Sequence, residues 1–127
     1  MAGSSITFAR TSAKPDILNP TSIELLVSWV GDSSTGAVPT LLIDSFPLFW
    51  ITKVQVNPGT APTAAYDITF PDEDGIDLLD GALLDLSATV SASETLSCQI
   101  PASGFTFTLA NSSAVSSTGT CKIFLNK

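Results

Sequence analysis

Apolar and polar residues alternate along most of this chain with a period of two. In the stretch SIELLVSWV, Ile23, Leu25, Val27 and Trp29 share one face of an extended segment, and YDITF, GFTFTL and CKIFL repeat the pattern. A period of two is typical of strands in antiparallel sheets that have one buried and one wet face. The alternation therefore predicts strands for most of the chain.

The stretch PLFWITKVQV is apolar on both sides and predicts a longer strand. Strict alternation places Trp50, Val54 and Val56 on one face and Phe49 and Ile51 on the other. We expect Trp50 to lie in the core, whereas Phe49 and Ile51 form an apolar surface that one small domain leaves partly uncovered.

Two further strands are predicted in SITFA and LLID. In all, about eight short strands are predicted, separated by stretches rich in Gly, Pro, Ser and Asn. Only IDLLDGALLDL departs from the pattern, because Leu79, Leu83 and Leu86 fall at helical spacing. This segment is either one short helix or a turn over a sheet edge. The chain is therefore predicted to be all-β, an antiparallel β-sandwich or jelly roll with at most one short helix.

The length of 127 residues is that of one domain. Residues 1–20 carry two prolines and little periodicity after Arg10, so they are predicted to form an N-terminal arm or an edge strand. Residues 21–127 are predicted to form the single β-sandwich domain.

Charge and hydropathy exclude several classes of partner. The net charge is −7 with only five basic residues, which argues against a protein that binds nucleic acid through its phosphates. No run approaches the roughly 18 apolar residues of a membrane span, so no membrane association is expected. The first residues do not resemble a secretory signal, so we expect synthesis in a cytoplasm.

Catalytic equipment is scarce in this sequence. There is no histidine, which removes the commonest general base and the commonest zinc ligand. Cys98 and Cys121 form no CxxC motif, and each shares a strand face with apolar residues, so we expect buried free thiols rather than a disulfide or a zinc site. The chain is therefore predicted to be no enzyme and to need no cofactor.

Seven of the twelve acidic residues lie between Asp67 and Asp85. Asp72, Asp74 and Asp77 look like a fragment of a calcium loop, but further oxygen ligands and a bidentate Glu are missing. The alternative is a solvent-facing turn, in which the Asp-Gly pair suits a tight hairpin and the charges protect a sheet edge. We favour the turn.

The same region resembles small β-rich proteins encoded among the head and tail genes of tailed bacteriophages. The resemblance rests on NPG (57–59), APT (61–63), YDIT (66–69), EDG (73–75) with Asp77, and Gly81-Ala82, and runs to about Glu94. It implies a virion structural protein, and the capsid-decorating (cement) class fits the size best. Such proteins commonly sit as trimers on the capsid surface, so the expected partners are the major capsid protein and further copies of the chain.

The candidate contact residues belong to the poorly patterned N-terminal segment and to the two-sided strand. They are Ile6, Phe8, Arg10, Phe49 and Ile51. The alternative function is a receptor- or carbohydrate-binding module of a phage tail or fibre, since sandwich folds carry such sites on a loop or a sheet face. Aromatic residues on a wet surface would favour that alternative, but we expect Trp29, Trp50 and Tyr66 all to lie in the core.

Overall fold

Eight strands and no helix are found in the part of the chain that the computed structural model describes, which is residues 4–13, 22–59, 66–87, 89–110 and 117–127, with backbone only for 10–13. The strands are β1 (Ser5–Ala13), β2 (Ser22–Val30), β3 (Leu41–Ile43), β4 (Trp50–Pro58), β5 (Asp67–Thr69), β6 (Ala92–Gln99), β7 (Phe105–Ala110) and β8 (Thr118–Asn126). The prediction of an all-β chain with about eight strands is confirmed.

The strands form two antiparallel sheets. The larger sheet has the order β1-β2-β8-β4-β6, and the smaller has the order β3-β7-β5. Every strand pair in both sheets is antiparallel. The β-sandwich prediction is therefore confirmed. Within the described residues, no helix is long and apolar enough to cross a membrane.

The core lies between the central strands of the larger sheet and strand β7 of the smaller one. In β2 and β8 every second residue is buried, as the period of two predicts. Across the gap, the Trp29 ring of β2 lies 5.9 Å from that of Phe107 in β7. On the side of the smaller sheet, Phe70, which directly follows β5, stacks on Phe105 of β7 with ring centroids 4.6 Å apart. Offset aromatic pairs of this kind add about 0.5–1.5 kcal/mol beyond the area they bury. The contact of Trp29 with Phe107 joins the two sheets.

Strand β4 contains a bulge that the alternation did not reveal. Ile51 lies opposite Leu125 of β8, and Lys53 lies opposite the adjacent Phe124, so Thr52 is an extra residue in β4. One inserted residue moves the side chains that follow it to the other face of the sheet.

The bulge places Ile51, Val54 and Val56 together on the buried face and leaves Trp50 on the outer face with 41% exposure. The prediction that Trp50 lies in the core is therefore wrong. Phe49 and Ile51 are 8% and 0% exposed, so the expectation that the sandwich leaves them uncovered is also wrong.

The segment with helical spacing consists of turns that run beside β5. The Ile68 amide donates to the Leu83 carbonyl, and the Leu86 amide donates to the Tyr66 carbonyl, each within 2.9 Å. Leu79, Leu83 and Leu86 all point into the core, as their spacing suggested. Of the two predicted alternatives, the turn over the sheet edge is the one found, and it covers backbone groups that β5 would otherwise expose.

Strand β1 is one edge of the larger sheet. Its backbone pairs with β2, with Ile6 opposite Trp29 and Phe8 opposite Val27. Ile6 and Phe8 are half-buried and pack against the core. Residues 1–3 and 14–20 of the predicted N-terminal arm lie outside the described residues.

We expect Gly119→Ala to lower the free energy of unfolding by about 2–3 kcal/mol, the usual effect of overpacking a core. Gly119 lies opposite Trp29, and a Cβ atom at residue 119 would collide with the indole ring. Urea denaturation measures the effect. The neighbouring Thr120→Ala, on the outer face, is the control and should cost less than about 1 kcal/mol. Equal losses in both variants would contradict this packing.

Candidate functional site

The acidic stretch folds into turns that its own carboxylates build. Asp72 Oδ1 accepts hydrogen bonds from the amides of Asp74 and Ile76, at 2.9 and 3.0 Å. The Ile76 carbonyl accepts the Asp72 amide at 2.9 Å, and Gly75 adopts the left-handed conformation with φ of 80°. A short acidic side chain that accepts nearby amides is a common way to fix a tight turn.

Asp77 holds three amides at once. Its Oδ1 accepts from the Phe70 amide at 2.8 Å and the Leu79 amide at 3.0 Å, and its Oδ2 accepts from the Gly81 amide at 3.0 Å. Asp67 Oδ1 likewise accepts from the Asp85 amide at 2.9 Å. A carboxylate that accepts several backbone N–H groups forms strong, charge-assisted hydrogen bonds. These acidic residues are therefore structural parts of the loop.

The calcium candidate is not assembled by this geometry. No group of three or more His, Cys, Asp or Glu side chains that could hold a metal ion occurs within the described residues. Asp72 and Asp77 instead direct carboxylate oxygens at backbone amides. The sequence resembles a fragment of a cation loop because the same residues also suit tight turns.

The turns leave a group of exposed apolar and acidic side chains on the outside, which we call the acidic-loop face. Ile76 and Leu84 are 63% and 48% exposed, although both are large and apolar. The exposed acidic residues of the same segment are Glu73, Asp74, Asp80 and Asp85. This face lies beside the smaller sheet, because its backbone pairs with that of β5 and its neighbours.

The five residues proposed from the sequence as contacts do not form one exposed surface. Phe49 and Ile51 are buried, while Ile6 and Phe8 are half-buried against the core. Arg10 lies opposite Leu25 in the backbone register of β1, and its side chain lies outside the described residues.

The outer face of the larger sheet carries a second group, which we call the Trp50 face. Trp50 lies opposite Asn126 of β8 on one side and Gln99 of β6 on the other. Around the bulge, Lys53 is the next outward residue of β4, between Phe124 and Thr95. The members of the Trp50 face are Trp50, Lys53, Thr95, Gln99, Phe124 and Asn126.

Hydrogen bonds fix the two amide side chains beside Trp50. Asn126 Nδ2 donates to Thr52 Oγ1 at 3.2 Å, and Asn126 Oδ1 accepts from Ser22 Oγ at 2.7 Å. Gln99 Nε2 donates to the Leu48 carbonyl at 3.1 Å. The exposed amides are thus held in defined orientations on the sheet.

Sequence reasoning missed the Trp50 face because it assumed unbroken alternation. Two polar residues, Thr52 and Lys53, stand between Ile51 and Val54, and this spacing of three between apolar residues is the signal of a bulge. Trp29 and Tyr66 are buried, as predicted.

The two cysteines are free thiols, with Cys121 buried and Cys98 half-buried. Burial raises the pKa of the Cys121 thiol from 9.0 to about 12. Burial, followed by the negative charge of Asp77, also raises the pKa of Cys98. The prediction of buried free thiols is confirmed for Cys121 and holds in part for Cys98. A thiol with a raised pKa is a poor nucleophile at neutral pH.

No family model matches the chain, and no curated protein matches it. Among solved structures, the chain is similar to the enzymatically active domain of tailspike protein 4 of bacteriophage CBA120, with a TM-score of 0.31 and 16% sequence identity. The match covers 95% of this chain and 17% of the tailspike chain.

We expect Asp77→Ala to lower the free energy of unfolding by about 3 kcal/mol, because three amides lose a charged acceptor. Glu73→Ala is the control, since Glu73 lies exposed in the same loop, and it should change stability by less than about 0.5 kcal/mol. Chemical denaturation of both variants measures the difference. Similar losses in the two would show that the Asp77 carboxylate does not hold the loop.

Stability should fall in alkaline solution through Cys121. The pKa of the Cys121 thiol is about 12 in the folded protein and 9.0 in the unfolded chain. The contribution of this thiol to the free energy of unfolding is therefore complete below pH 9 and is lost as the pH rises toward 12. Between pH 8 and pH 10 the loss should be about 1.4 kcal/mol. Cys121→Ala should lack this part of the decline, as urea denaturation at each pH would reveal. Parallel declines in both proteins would contradict the assignment.

Proposed function

We propose that the chain is a non-enzymatic structural protein of a bacteriophage virion that binds the surface of the assembled capsid and stabilises it. The observation that carries the proposal is the acidic-loop face, where Ile76 and Leu84 are exposed. This face lies within the stretch, from Asn57 to about Glu94, that resembles phage virion proteins. A contiguous exposed apolar patch marks a site for another protein, and in this proposal Ile76 and Leu84 belong to such a patch.

The turns present the acidic-loop face in a fixed conformation. Ile76 follows a turn closed by the Asp72 carboxylate, and the loop from Asp77 onward is held by three further hydrogen bonds. A site that is already ordered loses little conformational entropy on binding, so more of its contact energy appears as affinity. The loop is therefore suited to a docking role.

The charge of this face sets the chemistry of the partner. Four exposed acidic side chains lie in the same segment as the two apolar ones, which favours a partner surface that combines apolar contacts with a basic rim. Rim charges of this kind act mainly on the association rate and on its salt dependence. The expected partner is the major capsid protein, on the outside of the shell.

Mass action explains how such binding would stabilise a capsid. A protein that binds only the assembled lattice shifts the equilibrium toward that lattice. The resemblance to cement proteins implies a trimer, and three copies of one weak contact bind together far more tightly than one.

A second candidate function is a receptor- or carbohydrate-binding module of a phage tail or fibre. The 41% exposure of Trp50 favours it, because an exposed aromatic ring on a wet sheet face is what a sugar-binding surface requires. The two candidates use different faces, so they can be tested separately.

The capsid test mixes the purified protein with capsids assembled without it and measures co-sedimentation and resistance to heat. Ile76→Asp should weaken binding by about tenfold or more, because it places a charge in an apolar contact. Val90→Asp is the matched control, since Val90 is 65% exposed but lies outside the acidic-loop face, and it should bind like the parent.

Specific protein contacts have dissociation constants of about micromolar or below. If the protein stays in the supernatant at that concentration, the proposal of capsid binding is wrong. Labelling of tails rather than heads in intact particles would also overturn it and would favour the tail module. Light scattering of the free and bound protein measures whether the unit is a trimer.

A further inference from the structure

We propose that the Trp50 face binds an anionic carbohydrate whose ring stacks on Trp50 and whose acidic group contacts Lys53. This inference goes beyond capsid binding, because it concerns the outer face of the other sheet. It rests on the second candidate function and gives that function a ligand class.

Trp50 supplies the stacking surface. The residue is 41% exposed although it is flanked by strands on both sides. The C–H groups on one face of a pyranose ring are apolar, and an aromatic ring buries them well, while the hydroxyls at the ring edge need hydrogen-bond partners. Gln99 and Asn126 lie directly opposite Trp50 on the two neighbouring strands, at cross-strand distances of about 5 Å.

Both amides keep hydrogen-bonding capacity for a ligand. A side-chain amide has two N–H donors and two acceptor lone pairs. The Asn126 side chain uses one donor on Thr52 and one lone pair on Ser22, and Gln99 uses one donor on the Leu48 carbonyl. The remaining donor and acceptor of each amide suit the paired hydroxyls of a sugar, and the bonds already made hold the amides in place.

Leu48 is an exposed apolar residue whose backbone is hydrogen-bonded to Gln99 of the Trp50 face. It is 58% exposed and lies in the left-handed region with φ of 67°, a conformation that is unfavourable for a residue with a branched side chain. Its amide donates to the Ile100 carbonyl at 2.9 Å, and its carbonyl accepts from Gln99. Two hydrogen bonds thus hold this apolar residue in its left-handed conformation beside Gln99.

Charge complementarity makes the ligand an anion. The chain carries a net charge of −7, yet among the described residues Lys53 has no ion pair, and its Nζ lies 5.8 Å from the centroid of the Phe124 ring. Glu24, which lies opposite Phe124 on the same outer face, pairs with Lys122 at 3.5 Å. Lys53 therefore offers its charge to a carboxylate or sulfate group.

The size of the face favours a short saccharide over a nucleic acid. Three strands and two outward residues along each span about 10 Å by 7 Å, which is room for one or two sugar rings. A nucleic acid would need several cationic contacts along its backbone, and this face offers few. Weak binding by one copy would become strong on a particle that carries many.

The test titrates the protein with a tetra-uronate from alginate and with the neutral cellotetraose, and follows tryptophan fluorescence. Because Trp29 is buried, a change in emission reports on Trp50. The uronate should quench emission at about millimolar concentration or below, and cellotetraose should bind about tenfold more weakly. Added salt should weaken the binding of the uronate and leave the binding of cellotetraose unchanged.

Variants separate stacking from charge. Trp50→Ala should weaken the binding of both sugars by about tenfold or more. Calorimetry measures this binding, because the variant lacks the tryptophan that reports it by fluorescence. Lys53→Gln should reduce uronate affinity to that of cellotetraose, and Lys53→Arg should restore it. Val90→Ala is the control for an exposed apolar residue elsewhere and should leave both affinities unchanged. Both altered residues are on the outer face, so melting curves should confirm that the variants remain folded.

Three results would overturn the proposal. They are no binding of the uronate up to about 10 mM, unchanged binding in Trp50→Ala, and equal affinity for the neutral sugar. A further outcome is that the protein self-associates, that Trp50→Ala and Ile76→Asp each abolish this association, and that no uronate binds. The Trp50 face would then be a contact for the acidic-loop face of a second copy and not a sugar site. Capsid co-sedimentation of Trp50→Ala distinguishes the two proposals, because it should match the parent protein whether or not the sugar binds.

Discussion

The contact of Trp29 with Gly119 and Phe107 is the constraint on which the rest of the structure depends. The missing side chain at Gly119 lets the indole lie across the centre of the larger sheet, where it meets Phe107 of the smaller sheet. Phe107 packs on Phe70, whose backbone amide donates to Asp77. Phe70 therefore connects the core to the loop that carries the acidic-loop face. Because of this connection, a change in the packing of the two sheets would also displace that loop.

The regular part of this fold could be predicted from the sequence, and the irregular part could not. Strands such as β2 and β8 have one wet and one buried face, so alternation determines both their secondary structure and their burial. The turns from Asp77 to Leu86 show the limit of such a pattern. Burial of Leu79, Leu83 and Leu86 followed from their spacing, but their conformation depends on a carboxylate that accepts amides up to seven positions away in the chain.

The bulge at Thr52 explains why Trp50 was assigned to the core and Ile51 to an uncovered surface. A single extra residue brings Ile51 onto the same face as Val54, which completes the core, and it leaves Trp50 outside. Burial of the one residue and exposure of the other are two results of the same change in register. A prediction that assumes unbroken alternation across the bulge therefore assigns core residues to the surface and surface residues to the core. For this reason the proposed contacts included Ile51 and omitted Trp50.

The acidic residues of the loop have two physical roles that a count of charges does not separate. Asp72 and Asp77 accept backbone amides, so their charge is engaged within the fold. Glu73 and Asp74 extend from the same turns and are exposed, so their charge acts on the surroundings. Salt screens exposed charges much more than hydrogen-bonded ones, so raised ionic strength should weaken attraction to a basic partner while leaving the loop folded. A dependence of binding on salt without a parallel dependence of stability would therefore identify the exposed acidic residues as the ones that select the partner.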